Sequence, residues 1–224
     1  MNKKIILNGV LIVLVGSLML SVNTKAEDMP TSETGRDKMT VLTLCLSDLG
    51  KKYDVYFTIE EAYEEGSVQN PISSRLISCS IENSTLNEAL RGLEQALPDV
   101  EILKSETNLA VVHLIDSRLK AMGNYPIDYM LDSINYSGPI VQLIDEVSKQ
   151  VPTIEAQTMF AVGRGPIVMD MITKVTVSAI NSSVRDVLTN YIPLSTYNRV
   201  LWIANTKLGD KPKTTVQFGG RARP

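Results

Sequence analysis

Apolar residues along this chain fall into helical stripes and alternating stretches that follow one another in a fixed order. From Lys38 to Gly50 they recur at helical spacing, and Tyr53–Ile59 then alternates as a strand does. The stretch Ile77–Arg91, ISCSIENSTLNEALR, predicts a short strand that turns into an amphipathic helix. Val100–Lys104 and Leu109–Ile115 then predict a hairpin. The first part of the chain therefore reads as helix, strand, strand, helix and closing strands.

The same series occurs a second time. Val175–Thr189, VTVSAINSSVRDVLT, matches Ile77–Arg91 with Asn181 lying 98 residues after Asn83. The apolar stripe of Ile140–Val147 lies at the same distance after that of the first helix, and no gap is needed. An ordered series of elements that matches at one offset indicates a tandem duplication.

The predicted fold class is α+β, with two tandem small α-β-β-α-β modules, each a two-layer arrangement of helices on a sheet, preceded by a signal peptide. The predicted segments are a signal peptide (1–26), a flexible leader (27–37), a first module (38–117), a linker (118–126), a second module (127–206) and a basic disordered tail (207–224).

The first 26 residues have the features of a cleaved signal peptide rather than a retained anchor. Lys3 and Lys4 precede an apolar run that is short for a membrane-spanning helix, and Ala26 offers a small exit residue. Removing Lys3, Lys4 and Lys25 leaves 19 basic against 25 acidic residues, a formal charge of −6. Aromatic residues make up only 5% of the chain. An acidic, exported chain with few aromatic residues is a poor candidate for nucleic-acid binding.

Several of these segments resemble the secretin and TonB short N-terminal (STN) domain. Ile134–Val151, INYSGPIVQLIDEVSKQV, resembles the opening strand, small-Pro-apolar turn and first helix of that family. Ser80–Leu90 and Ser178–Leu188 resemble its second strand-to-helix segment, and the VLWIA sequence ending at Ala204 resembles its closing strand.

The resemblance implies a small α/β module in the periplasm that binds other proteins and is not an enzyme. The expected partners are envelope proteins, including a component of a secretin or a TonB-dependent transporter. The expected role is that of an adaptor or scaffold in a transport, secretion or signalling assembly. The alternative is a periplasmic protein that binds a small molecule or glycan in a cleft between the modules. An enzymatic function is the third hypothesis, because the chain lacks a recognisable acid/base or nucleophile set.

Candidate catalytic and metal-binding chemistry is sparse. His113 is the only histidine, and alternation along its strand places it opposite Val112 and Leu114, so we expect it to face solvent. One histidine without a cysteine cluster makes no zinc site of ordinary ligand spacing. The acidic pair Glu60–Glu61 lies in a predicted loop and reads as solvated charge. We therefore predict no catalytic residue, no metal site and no cofactor.

Cys45 and Cys79 occupy predicted core positions on a helix and a strand of the first module. They are either two buried small apolar residues or a disulfide. A disulfide would close a loop of about 35 residues and contribute about 3–4 kcal/mol in the chain-entropy model.

Two further sets of residues have assigned roles. Thr85 with Glu88, and Ser183 with Asp186, are predicted to cap the second helix of each module. The β-rich segments bounded by Ile154 and Phe160 and by Met169 and Val177 are predicted to offer an open sheet edge to a partner strand.

Overall fold

The protein is a mixed α/β molecule. The computed structural model describes residues 39–66, 71–79, 84–157, 174–191 and 199–218. The proposed signal peptide and leader lie outside the described residues. The described part from Met39 onward belongs to one compact unit.

The N-terminal half (residues 39–116) alternates strands with two long helices. Its elements are β1 (Met39–Val41), α1 (Leu42–Tyr53), β2 (Tyr56–Tyr63), β3 (Leu76–Ser78), α2 (Leu86–Ala96), β4 (Val100–Lys104) and β5 (Val111–Asp116). The sequence prediction lacked β1, which is only three residues long.

The C-terminal half (residues 130–218) has its elements in the same order. They are β6 (Met130–Pro139), α4 (Ile140–Ser148), β7 (Ile154–Ala156), β8 (Lys174–Ser183), α5 (Val184–Asn190), β9 (Val200–Lys207) and β10 (Lys213–Phe218). A short helix, α3 (Ser117–Lys120), and a 3₁₀ turn (Pro126–Asp128) connect the halves. The order in each half is strand, helix, strand, strand, helix, strand, strand. Relative to the predicted α-β-β-α-β unit, each half has an additional leading strand, and the second half also has the additional final strand β10, whereas the hairpin β4–β5 was predicted.

One six-stranded sheet runs through both halves in the order β4-β5-β2-β9-β10-β7. Each half contributes an antiparallel pair, β4–β5 or β9–β10, followed by a parallel partner, β2 or β7. The halves are joined where β2 pairs in parallel with β9. The remaining strands form two separate antiparallel ribbons, β1–β3 and β6–β8.

The first ribbon is equivalent, residue for residue, to the end of the second ribbon that adjoins α4. The cross-strand pairs Met39–Ser78, Thr40–Ile77 and Val41–Leu76 of the first ribbon correspond to Ser137–Thr176, Gly138–Val175 and Pro139–Lys174 of the second, each residue shifted by 98 positions. Leu42 and Ile140, which begin α1 and α4, keep the same offset.

The sheet is covered on both faces, because successive residues of its central strands enter two different hydrophobic clusters. Phe57 and Val112 join the cluster formed with α1 and α2, whereas Tyr56 and Val111 join the cluster formed with α4 and α5. The molecule therefore has helices on both sides of a shared sheet, and not the two-layer helix-on-sheet arrangement predicted for each module.

The predicted disordered tail is wrong over residues 213–218. These residues form β10, which lies between β9 and β7 inside the sheet. Thr214, Val216 and Phe218 alternate along the strand and are at most 6% exposed. The pattern was hidden by the charged and Gly-containing residues that precede it.

The predicted linker also carries structure. Leu119 in α3 is fully buried, and Tyr125 is 4% exposed. These residues pack into the core of the C-terminal half, so residues 118–126 are a packed connection.

Candidate functional site

The most concentrated buried charge lies where the two halves meet. The Glu60 carboxylate on β2 is fully buried and accepts two bonds from Arg185, from Nε at 2.7 Å and from Nη2 at 2.6 Å. The Tyr125 hydroxyl donates to the same carboxylate at 2.9 Å. Arg185 also pairs with Asp128. Four residues from three distant parts of the sequence are thereby held together.

The local fold explains how these groups converge. Arg185 lies in the first turn of α5, which the Ser183 side chain caps by accepting from the Asp186 N–H at 3.0 Å. Burial by itself would lower the pKa of Arg185, but the hydrogen bonds to Glu60 raise it, so the guanidinium remains charged. Burial, together with the Glu60 charge, raises the pKa of Tyr125 well above its usual value.

The predicted solvated loop at Glu60–Glu61 is wrong, because β2 continues through both residues. Glu61 is 3% exposed and accepts from the N–H and the hydroxyl of Ser73, at 2.9 and 3.1 Å. Both carboxylates are held by internal donors. Their geometry is that of structural anchors, and the ion pair with Arg185 occupies the join between the halves.

His113 is buried as well, contrary to the predicted solvent-facing position. It is 5% exposed, its Nδ1 is hydrogen-bonded to the Thr58 hydroxyl at 2.7 Å, and its ring lies 6.4 Å from that of Trp202. The strand alternates as expected, but the second face of the sheet is covered by the C-terminal half. Burial, aided by the positive charge of Arg185, lowers the pKa of His113 to about 4. The imidazole is therefore neutral near pH 7.

Metal chemistry has no support in the described ranges. No group of three or more His, Cys, Asp and Glu side chains there is arranged to hold a metal ion.

Cys45 and Cys79 are joined in a disulfide, with a Cα–Cα distance of 5.9 Å. The bond ties α1 to the residue that follows β3. It borders a cleft of about 260 Å³ whose walls include Leu49, Ala89, Gly92 and Leu93 from the two helices. Pockets for drug-sized ligands have volumes of roughly 300–1,000 Å³, so this cleft is small, and it lies within the N-terminal half rather than between the halves.

The helix caps are formed by the expected residues. The Thr85 hydroxyl accepts from the Glu88 N–H at 3.3 Å, and the Glu88 carboxylate accepts from the Thr85 N–H at 2.7 Å. The pKa of Glu88 is lowered by these bonds to Thr85. In the other half, Ser183 caps α5 and donates its hydroxyl proton to Asp186 at 2.6 Å.

The predicted edge-strand surface is only partly described. Phe160 and Met169 lie outside the described residues. Ile154 is 1% exposed and Val177 is fully buried, so their side chains belong to the core of the C-terminal half. These two side chains are therefore not available to a partner.

A different surface emerges from the comparison of the two ribbons. Met39 and Leu76 lie on the outer face of β1–β3 and are 57% and 61% exposed, while Ile77 on the inner face is buried. Their counterparts on β6–β8 are Ser137 and Lys174, which are hydrophilic. This difference was not predicted, although it is visible when the two copies are aligned at the 98-residue offset.

Comparison with known proteins yields no relative for this chain: no family model, no curated protein and no solved structure matches it. Across the described segments, no helix combines the length and apolar character needed to cross a membrane.

Proposed function

We propose that this chain is an exported, non-enzymatic protein-interaction module built from two tandem STN-like copies. It acts as an adaptor or scaffold in an envelope transport, secretion or signalling assembly. Its partner is an envelope protein, such as a component of a secretin or of a TonB-dependent transporter.

Three observations support the separate parts of this proposal. The equivalence of the ribbons at one offset supports the duplication. The Cys45–Cys79 disulfide supports an oxidising compartment outside the cytoplasm. The engagement of Glu60, Glu61 and His113 in internal hydrogen bonds supports a structural rather than a catalytic role for these groups.

The observation that carries the interaction function is the apolar outer face of the β1–β3 ribbon. Leu76 pairs directly with Val41, and Met39 lies two residues further along on the same face. Diagonal neighbours in an antiparallel pair are about 7–8 Å apart, so the three side chains form one small apolar surface. The equivalent ribbon folds with Ser137, Pro139 and Lys174 at these places, so the fold itself does not require apolar residues there.

The test exploits this internal equivalence. The double variant Met39→Glu/Leu76→Glu places charges on the apolar surface, and Ser137→Glu/Lys174→Glu places them at the matched positions of the other ribbon. Each purified protein is incubated with envelope extract at low salt, crosslinked and analysed by quantitative mass spectrometry.

We expect the unmodified protein to enrich an envelope protein, the first variant to lose at least about 90% of that enrichment, and the second to retain most of it. All four substituted residues lie on outer ribbon faces, and circular dichroism checks that both variants are folded. No enriched protein with the unmodified chain, or equal losses in the two variants, would contradict the proposed surface.

A further inference from the structure

The two cysteines of the disulfide differ in their exposure to solvent. Cys45 is 1% exposed and belongs to the core below α1. Cys79 is only partly buried, and it lies on the wall of the 260 Å³ cleft with Ser78 and Ser84, where Cys45 also contributes to the lining. Both cysteines therefore border the cleft, and Cys79 is the more exposed of the two.

The fold does not need a covalent bond at this location. The residues 98 positions after Cys45 and Cys79 are Leu143 and Val177, and both are fully buried in the equivalent cluster of the C-terminal half. Apolar packing alone holds the second copy of this helix-to-strand contact. The cysteine pair in the first copy thus adds a property that packing does not supply.

We propose that the Cys45–Cys79 disulfide is a thiol–disulfide exchange site that is entered at Cys79 from the cleft between α1 and α2. The co-reactant is a dithiol, of the kind carried by Cys-X-X-Cys oxidoreductases. This activity goes beyond the adaptor function and does not depend on it.

The exchange proceeds in two balanced steps. A thiolate of the dithiol attacks Cys79 Sγ, the Cys45–Cys79 bond breaks, and Cys45 leaves as a thiolate that takes up a proton. The second thiolate of the dithiol then attacks its partner sulfur in the mixed disulfide and releases Cys79. Two electrons pass to the protein, and the dithiol becomes a disulfide.

A substitution in the cleft wall is able to block the access of a thiol to the disulfide without changing either cysteine. Gly92 lies on the cleft wall in α2, and a Cβ added there meets no atom within 4 Å. Gly92→Leu introduces a side chain large enough to obstruct the cleft, whereas Gly92→Ala adds one methyl group and serves as the matched control. Both replacements suit a helix better than glycine does.

The first measurement is the rate of reduction of the folded full chain by dithiothreitol, followed by alkylation of free thiols and mass spectrometry. We expect a rate proportional to dithiothreitol concentration and insensitive to low urea, a decrease of at least about tenfold in Gly92→Leu, and little change in Gly92→Ala. A rate that saturates with dithiothreitol and rises steeply with urea would show that the bond opens only on unfolding, and would overturn the proposal. Equal rates in the two Gly92 variants would overturn entry through the cleft.

A second measurement identifies the attacked sulfur. Glutathione, a monothiol, forms a mixed disulfide that acid quenching and peptide mapping locate. Glutathione on Cys79 is the expected result, and glutathione on Cys45 would overturn the assignment.

Discussion

Glu60 lies in the interior of the molecule, where Arg185 is its ion-pair partner. The carboxylate is fully buried, while the guanidinium is 22% exposed and donates two hydrogen bonds to it. Removing one member of such a buried pair leaves the other desolvated and without its counter-charge.

Arg185→Met should therefore lower the free energy of unfolding by about 3–5 kcal/mol, because Glu60 then stays buried without its cation. Chemical denaturation at pH 7 measures the change. Lys213→Met is the matched control: it breaks the exposed pair with Glu155, whose side chains are 56% and 47% exposed, and should cost less than about 1 kcal/mol. Similar losses in the two variants would show that the Glu60 pair is not energetically special.

His113 makes stability depend on pH in a defined window. Its folded-state pKa of about 4 is below the ordinary value of 6.5, so between these values the unfolded chain binds a proton that the folded chain excludes. Stability therefore falls as the pH decreases through this range. A shift of this size corresponds to a loss of about 2 kcal/mol between pH 7 and pH 5.

His113→Gln should remove this component, so the difference in unfolding free energy between the original chain and the variant should change by about 2 kcal/mol between pH 7 and pH 5. Urea denaturation at the two pH values measures it. Carboxylates such as Glu88 and Asp99, whose hydrogen bonds lower their pKa, contribute equally to both proteins and cancel. A pH-independent difference would contradict the burial of a neutral imidazole.

At this scale the sequence predicts well what depends on near neighbours. The capping pairs at Thr85 and Ser183 follow from spacing within one turn, and both are present. The positions of Glu60 and His113 were mispredicted, because the residues that cover them are far away in the sequence: Arg185 lies 125 positions after Glu60, and Trp202 lies 89 positions after His113. Local sequence patterns do not indicate contacts between residues so far apart in the chain.

Among the elements, β10 holds the C-terminal part of the sheet together, because it lies between β9 and β7. It pairs antiparallel with β9 along six residues and parallel with β7 along three. Without it, β7 has no partner in the sheet, and the buried side chains of Val216 and Phe218 are lost from the core of the C-terminal half.

Ending the chain after Lys207 should prevent cooperative folding, because β10 is an internal strand and not an appendage. A chain that ends after Phe218 retains the strand and serves as the control. Thermal unfolding followed by circular dichroism distinguishes them: we expect a sharp transition for the control and none for the shorter chain. A cooperative transition in both would show that β10 is dispensable.

Elements with strong periodicity were predictable, and short or polar strands were not. The four long helices and the offset of 98 residues between their starts follow from apolar spacing alone. The three-residue strand β1 and the strand β10, which begins with a lysine, carry too few apolar residues to stand out. Their strand conformation is set by the partners with which they pair.

At the scale of the whole molecule, two similar halves share a sheet while their helices cover opposite faces. The sequence indicated the repetition but not the way the copies combine, since β2–β9 pairing depends on backbone edges that any β-rich segment offers. The outer ribbons, by contrast, differ at their matched positions, where Met39 and Leu76 on β1–β3 correspond to Ser137 and Lys174 on β6–β8. This is how two alike folding units come to present different faces to their surroundings.

The join between β2 and β9 also determines what the sheet leaves open. β7 is the counterpart of β2 and β4 the counterpart of β9, so the two outer strands of the described sheet are the same two kinds of edge that the join brings together. A head-to-tail contact of this kind is not closed by symmetry. In principle it allows a further unit to add at either end of the sheet. β7 has only three residues, with Glu155 paired to Lys213, and Glu101 on β4 is paired to Lys120. Brevity and charge are means by which sheets discourage further strand pairing, and both outer strands carry charged side chains.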